Sequence, residues 1–236
     1  MFEWIFSVES WIALATLTAL EIVLGIDNII FISILVGRLP EKERNLGRSV
    51  GLGLAMGTRL ILLFSIVWVV GLTKPWFSIL GQEISGRDLI LIGGGLFLLA
   101  KATHEIHNSL EGKMEDEDKS ASSSITLGSI LFQIAILDIV FSLDSVITAV
   151  GLAKHISIMA IAVVISVGVM MFAAKAIGEF VENHPTIKIL ALSFLIMVGF
   201  TLVLEGFDVH IPKGYIYFSM AFSVSVEMLN LRLRKK

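Results

Sequence analysis

This sequence predicts an all-α integral membrane protein, and three observations predict it. Apolar stretches long enough to cross about 30 Å of hydrocarbon, at about 1.5 Å of helix per residue, recur along the chain. An acid-bearing motif occurs twice, as EIVLGIDNIIFISILVG over Glu21–Gly37 and as DIVFSLDSVITAVG over Asp138–Gly151, at a fixed offset of 117 residues. Lys and Arg crowd onto alternate connections between the apolar stretches, the asymmetry that orients helices in a membrane. Composition agrees: 56% of the 236 residues are hydrophobic, 17% are charged, and mean hydropathy is +0.88. Soluble domains of this length need more polar surface than that.

Seven transmembrane helices are expected, near 11–36, 49–71, 87–103, 126–151, 156–178, 188–206 and 214–231, the third being the shortest. Trp4, Trp11, Trp68, Trp76, Tyr215 and Tyr217 fall near the expected ends, where amphipathic rings settle at the headgroup level. The opening residues MFEWIFSVES lack the basic n-region of a cleavable signal peptide, so insertion is expected to rely on the helices themselves. Gly47, Gly51, Gly53 and Gly57 crowd the second helix and Gly93, Gly94 and Gly95 the third. Close helix packing is the reading for both.

Orientation follows from the cations. With the N-terminus outside, the cytoplasmic side holds Arg38, Lys42, Arg44, Arg48, Lys101, Lys113, Lys119, Lys175, Lys188, Arg232, Arg234, Lys235 and Lys236, which is 13 of the 18 Lys and Arg. The outer side holds 4: Lys74, Arg87, Lys154 and Lys213. Arg59 stands alone inside a helix. This bias predicts an N-terminus outside and a C-terminus inside.

The repeat then acquires a physical meaning. The two motif copies lie three helices apart, an odd number, so they run in opposite directions through the bilayer. This predicts two inverted three-helix repeats, 1–110 and 125–206, joined by a flexible cytoplasmic linker over 111–124 and followed by a seventh helix and basic tail, 207–236. The linker sequence EGKMEDEDKSASSS is acidic, then serine-rich, a solvated composition. Inverted repeats of this kind hold their substrate near the midplane, at the repeat interface.

The motifs supply the chemistry. Glu21 and Asp27 in one copy, and Asp138 and Asp144 in the other, stand six residues apart, and Asn28 or Ser145 follows the second acid. An ionised group in hydrocarbon costs several kcal/mol or more unless paired or hydrated, so four of them suggest one ion site built twice. Residues four and seven apart share a helix face. Asp138, Ser142 and Ser145 therefore form one polar stripe, with Glu21, Gly25 and Asn28 as its counterpart. Asp27 and Asp144 lie about 120° away, so both acids of a copy reach one ion only if the helix is distorted or other helices complete the cavity. Gly25 is the expected place for such a break. Every candidate ligand is an oxygen, which favours hard cations such as Mn²⁺, Mg²⁺ or Ca²⁺. Arg59, about eleven residues into the second helix, needs an anionic partner, and the motif acids are the obvious ones. It and Ser142 are the supporting candidates.

Other groups carry less. His104, Glu105, His107 and Glu111 cluster at the inner end of the third helix, and hydrated interfacial groups are the expectation there before a metal site. Lys175, Glu179 and Glu182 read as a surface ion-pair face. Glu205, Asp208 and Glu227 read as solvated near helix ends, and His155, His184 and His210 as loop residues. The absence of cysteine excludes disulfides and thiolate metal sites. No Gly-rich phosphate loop, HExxH or GxSxG occurs, and no basic patch interleaved with aromatics points to nucleic acid.

EIVLGIDNIIF, RDLILIGGGLFL over Arg87–Leu98 and LDIVFSLDSVITAVG together resemble the TerC family of bacterial integral membrane proteins, within the LysE-type exporter superfamily. The resemblance runs essentially the full length and is to short members without an added cytoplasmic domain. It implies location in the cytoplasmic membrane and export of a divalent metal ion, with Mn²⁺ as the transported substrate and no resident cofactor. The implied ligands are Glu21, Asp27, Asn28, Asp138, Asp144 and Ser145. Proton antiport is the expected drive, and the expected partners are the bilayer and the metal ion alone. Some members are named for tellurite resistance, which none of these residues explains chemically. Two other classes compete: an intramembrane carboxylate enzyme, for which the GxGD signature is missing, and a membrane partner that loads metal onto exported proteins.

Overall fold

Side-chain caps begin the helices that start at Gly86 and Leu127, whereas those that start at Val8, Glu41 and Pro185 have none. The computed structural model describes residues 7–79, 82–111, 126–152 and 156–234, and within the helices it leaves out the side chains of Asp27, Asp144 and Ser145 among others. In order, the elements are α1 (Val8–Val36), α2 (Glu41–Phe64), α3 (Ile66–Gly71), β1 (Pro75–Ile79), β2 (Gln82–Ser85), α4 (Gly86–Glu111), α5 (Leu127–Leu152), α6 (Ile156–Asn183), α7 (Pro185–Glu205) and α8 (Lys213–Arg234). Residues 112–124 of the expected linker, Trp4 and His155 lie outside the described residues.

Pro40 precedes α2, whose first turn carries Glu41 and Glu43, anions placed where the helix dipole favours them. Ser85 and Asp88 form a reciprocal cap on α4. The Ser85 backbone N–H donates to Asp88 Oδ2 at 2.9 Å and its hydroxyl donates to the same oxygen at 2.6 Å, while the Asp88 N–H returns to Ser85 Oγ at 3.3 Å. Thr126 Oγ1 accepts the Ser129 N–H ahead of α5 at 3.3 Å. Pro185 occupies the first turn of α7, where its missing donor is not needed.

The chain is nearly all-helical among the described residues, the expected span 49–71 is divided between α2 and α3, and seven helices are longer than 20 residues. Five of them are long and apolar enough to cross a membrane: α1, α2, α4, α6 and α7. The apolar described stretch of α5, Leu127–Leu143, is shorter, and α8 is interrupted by Ser219, Ser223, Ser225, Glu227 and Asn230. Two details depart from expectation. The second helix is broken at Ser65, which has left helical geometry (φ −89°, ψ 24°) while its backbone N–H and its hydroxyl both still donate to the Ile61 carbonyl. An antiparallel hairpin of β1 on β2, pairing Phe77 with Ile84 and Ser78 with Glu83, occupies what reads in sequence as a plain outer loop. Large apolar side chains face outward: Phe172 is 92% exposed and Ile61, Phe64 and Phe132 about two-thirds exposed. Water penalises such a surface, and lipid does not.

The chain divides into two compact units, one of Met1–Lys74 with Ile125–Glu179, the other of Pro75–Ser124 with Phe180–Lys236. In the first, α2 packs along α5, and α1 touches both. Ile29, Ile32 and Leu35 of α1, Leu52 and Leu63 of α2, and Ile130, Ile134 and Leu137 of α5 are buried in its core. In the second, α4 packs along α7 and α8 lies beside α7. Gly95 and Gly199 let the α4 and α7 backbones meet: a Cβ on Gly95 would stand 2.6 Å from the Gly199 carbonyl oxygen, the close approach small residues permit between membrane helices.

Candidate functional site

The polar centre of the first unit is built by three helices. Glu21 and Asn28, seven residues apart, occupy one face of α1. Thr58 and Arg59 come from α2, and Asp138 and Ser142, four apart, from α5. Glu21, Asn28, Arg59, Asp138 and Ser142 are all buried.

Arg59 joins the two motif copies. Its Nη1 donates to Glu21 Oε2, its Nη2 to Asp138 Oδ1 at 3.3 Å, and its Nε to Ser142 Oγ at 3.0 Å. Ser142 passes its own proton to Asp138 Oδ2 at 3.2 Å. Asp138 gathers two more donors, Thr58 Oγ1 on Oδ2 at 2.6 Å and Asn28 Nδ2 on Oδ1 at 3.4 Å. A planar guanidinium with five donors suits this role, because each of its three nitrogens finds an acceptor. Two carboxylates and one guanidinium still leave a formal charge of −1 in a low-dielectric setting, which is an attraction for a cation.

A cavity of about 10 Å³ lies beside Glu21, walled by Leu17, Leu63, Val146, Met159 and Val163, room for about one water.

The structure brings together Glu21, Asn28, Asp138 and both supporting candidates, Arg59 and Ser142. The side chains of Asp27, Asp144 and Ser145 lie outside the described residues, although their backbones are helical in α1 and α5. Among the described residues no group of three or more His, Asp or Glu side chains is placed to hold a metal; the two described motif acids, Glu21 and Asp138, meet through the arginine. The expected break at Gly25 does not occur. α1 runs unbroken, and a Cβ on Gly25 would stand 2.2 Å from Met170 Sδ, so the glycine makes room for α6.

Thr58 went unread in the sequence. A threonine in an apolar helix ordinarily bonds its own carbonyls, and its position next to Arg59 was the only signal. At the end of α4, His104, His107 and Glu111 are exposed while Glu105 is buried. His107 Nδ1 pairs with Glu111 Oε2 at 3.1 Å, an interfacial pair rather than a metal site. Lys175 and Glu179 form the expected surface pair at 4.0 Å. Glu205 departs from its solvated reading: it is 5% exposed at the end of α7.

A family profile described as "Integral membrane protein TerC family" matches residues 6–236. The chain belongs to the TerC family. Its TerC-family relatives include a UPF0053 protein of Haemophilus influenzae, 61% identical over 235 residues and covering 100% of this chain and 99% of that protein. The UPF0053 inner membrane protein YgdQ of Escherichia coli is 62% identical over 236 residues, covering 100% of this chain and 98% of its own. The UPF0053 protein YegH of E. coli is 50% identical over 228 residues, where this TerC-family sequence spans 97% of itself and only 43% of the longer relative. No solved structure matches the chain.

Proposed function

We propose that this chain is a divalent-cation exporter of the cytoplasmic membrane, with Mn²⁺ as its substrate, working by alternating access in exchange for protons. The observation that carries the reading is the buried bridge in which Arg59 holds Glu21 and Asp138, one acid from each motif copy. In this reading Arg59 stands in for the substrate. A divalent ion entering between the carboxylates releases the guanidinium, and protons or Arg59 neutralise them again once the ion leaves. Glu21, Asp27, Asn28, Asp138, Asp144 and Ser145 serve as oxygen ligands, a hard set suited to Mn²⁺, and Arg59 and Ser142 support them. The protein needs no resident cofactor.

The reading includes seven spans, an outer N-terminus, an inner C-terminus and two inverted three-helix repeats. Its support is that the first unit takes α1 and α2 together with α5 and most of α6, the leading pair of each repeat, whereas the second takes α4 and α7, the third of each. The naming of the E. coli relative YgdQ as an inner membrane protein supports the location. Catalysis forms no part of the proposal, in which both described acids are engaged by Arg59.

The deciding experiment is Mn²⁺ uptake into sealed proteoliposomes that contain this protein alone, with the lumen made acidic. Accumulation that collapses with the pH gradient, and is absent in Asp138→Asn, is expected. If Mn²⁺ binds without crossing, transport is wrong and a metal-loading partner becomes the better reading.

A further inference from the structure

A second polar site lies in the first unit, between α2 and α6 and away from the acids. A cavity of about 200 Å³ is lined by Asn45, Arg48, Ser49 and Leu52 of α2 and by Met171, Ala174 and Lys175 of α6. Its polar wall carries two cations and two neutral hydrogen-bonding side chains and no carboxylate; its floor is apolar. Arg48 is 6% exposed, and it lies so close to α6 that a Cβ on Gly178 would stand 2.9 Å from its Cζ. Glycine at 178 is what admits the guanidinium. Lys175 sits at the mouth, in an exposed pair with Glu179 at 4.0 Å, a contact of the kind that contributes little and is readily exchanged.

Depth is informative as well. Arg48 is seven residues inside the start of α2 and Lys175 eight residues before the end of α6, so each stands about 10–12 Å from the helix end. Both also fall at the inner ends of the spans expected from sequence, 49–71 and 156–178, where headgroup meets acyl chain if those spans fill the hydrocarbon. At the same end of α2, Arg38, Lys42 and Arg44 outnumber Glu41 and Glu43 by one charge.

We propose that this cavity binds the phosphate of one anionic phospholipid, with Arg48 and Lys175 pairing the phosphate oxygens, Asn45 and Ser49 donating to them, and Leu52, Met171 and Ala174 receiving the start of an acyl chain. Basic pockets between membrane helices hold anionic headgroups by this chemistry, and a guanidinium fixed by packing gives the two-armed contact phosphate favours.

The test uses the full chain in detergent, read by native mass spectrometry and by melting temperature with added palmitoyl-oleoyl phosphatidylglycerol, phosphatidylcholine or inorganic phosphate. One phosphatidylglycerol retained per chain, with a melting temperature raised by that lipid alone, is expected. Lys175→Gln should weaken retention about fivefold, the worth of one cation near an anionic headgroup, and Ser49→Glu should abolish it. Both positions are exposed, so folding should survive. Equal retention of phosphatidylcholine, or phosphatidylglycerol retention unchanged in both variants, would overturn the proposal. So would a melting shift produced in full by inorganic phosphate, which would make the site one for free anion. None of these readouts involves metal transport.

Discussion

Asp138 accepts from four donors on three helices, and Glu21 from one arm of Arg59. The two acids therefore differ in what their removal leaves behind. Asp138→Asn keeps the size and one acceptor oxygen and reduces the described cluster to Glu21 and Arg59, which balance. Its melting temperature should stay within a few degrees of wild type while export is lost. Arg59→Gln instead strands two buried carboxylates, a change costing about 3–5 kcal/mol, and the melting temperature should fall steeply. Adding Mn²⁺ should recover more stability in that variant than in the wild type, because the ion replaces the lost cation. A variant equally stable with and without Mn²⁺ would mean that the acids do not take a metal together. Thr58 illustrates what sequence leaves unread at this scale: its hydroxyl faces Asp138 only because α2 packs along α5.

Helix identity was legible, because an apolar run has one stable form in lipid and acids inside it declare themselves. Breaks were not. α2 ends at Ser65, a residue with no breaker character in sequence, whereas Gly25, the residue suspected of breaking α1, serves packing. The hairpin escaped because strands of five and four residues are too short to show a period. Glycines divide the same way. Gly95→Val should destabilise the α4–α7 crossing by about 1–3 kcal/mol as an overpacked contact, since the Gly199 carbonyl and Val203 leave it no room. Gly53 meets nothing within 4 Å, so Gly53→Ala should stabilise α2 by about 0.5–1 kcal/mol. Detergent melting of the pair measures both, and equal effects would contradict the described crossing. The motif pattern adds a sequence-level expectation for α1 and α5: Asp27→Asn and Asp144→Asn should each abolish efflux at normal expression.

For the whole molecule, membrane residence and the pairing of α1 with α5 could be read from 117-residue spacing and hydropathy. The interleaving of the two units could not, since it depends on which helix surfaces fit together. A reporter fused after Lys236 should prove cytoplasmic, and a periplasmic result would remove the inverted-repeat reading. In proteoliposomes Mn²⁺ should be carried faster than Zn²⁺, although Zn²⁺ is the stronger binder by general affinity order; faster Zn²⁺ would contradict the oxygen ligand set.

If the chain carries cations as proposed, the arginine bridge would also act as a valence filter. Arg59 is tethered beside its two carboxylates, so its effective concentration there is in the range of mM or more, comparable with the abundant ions of a cell. A free monovalent cation offers one charge to replace a guanidinium that already supplies one, with three hydrogen bonds besides. It has nothing to gain by displacement. A divalent ion brings twice the charge to the same two acids, enough to compete. A pathway lined with carboxylates would ordinarily leak sodium and potassium; under the proposed export, a built-in cation would plug it against them and yield to an ion of higher charge.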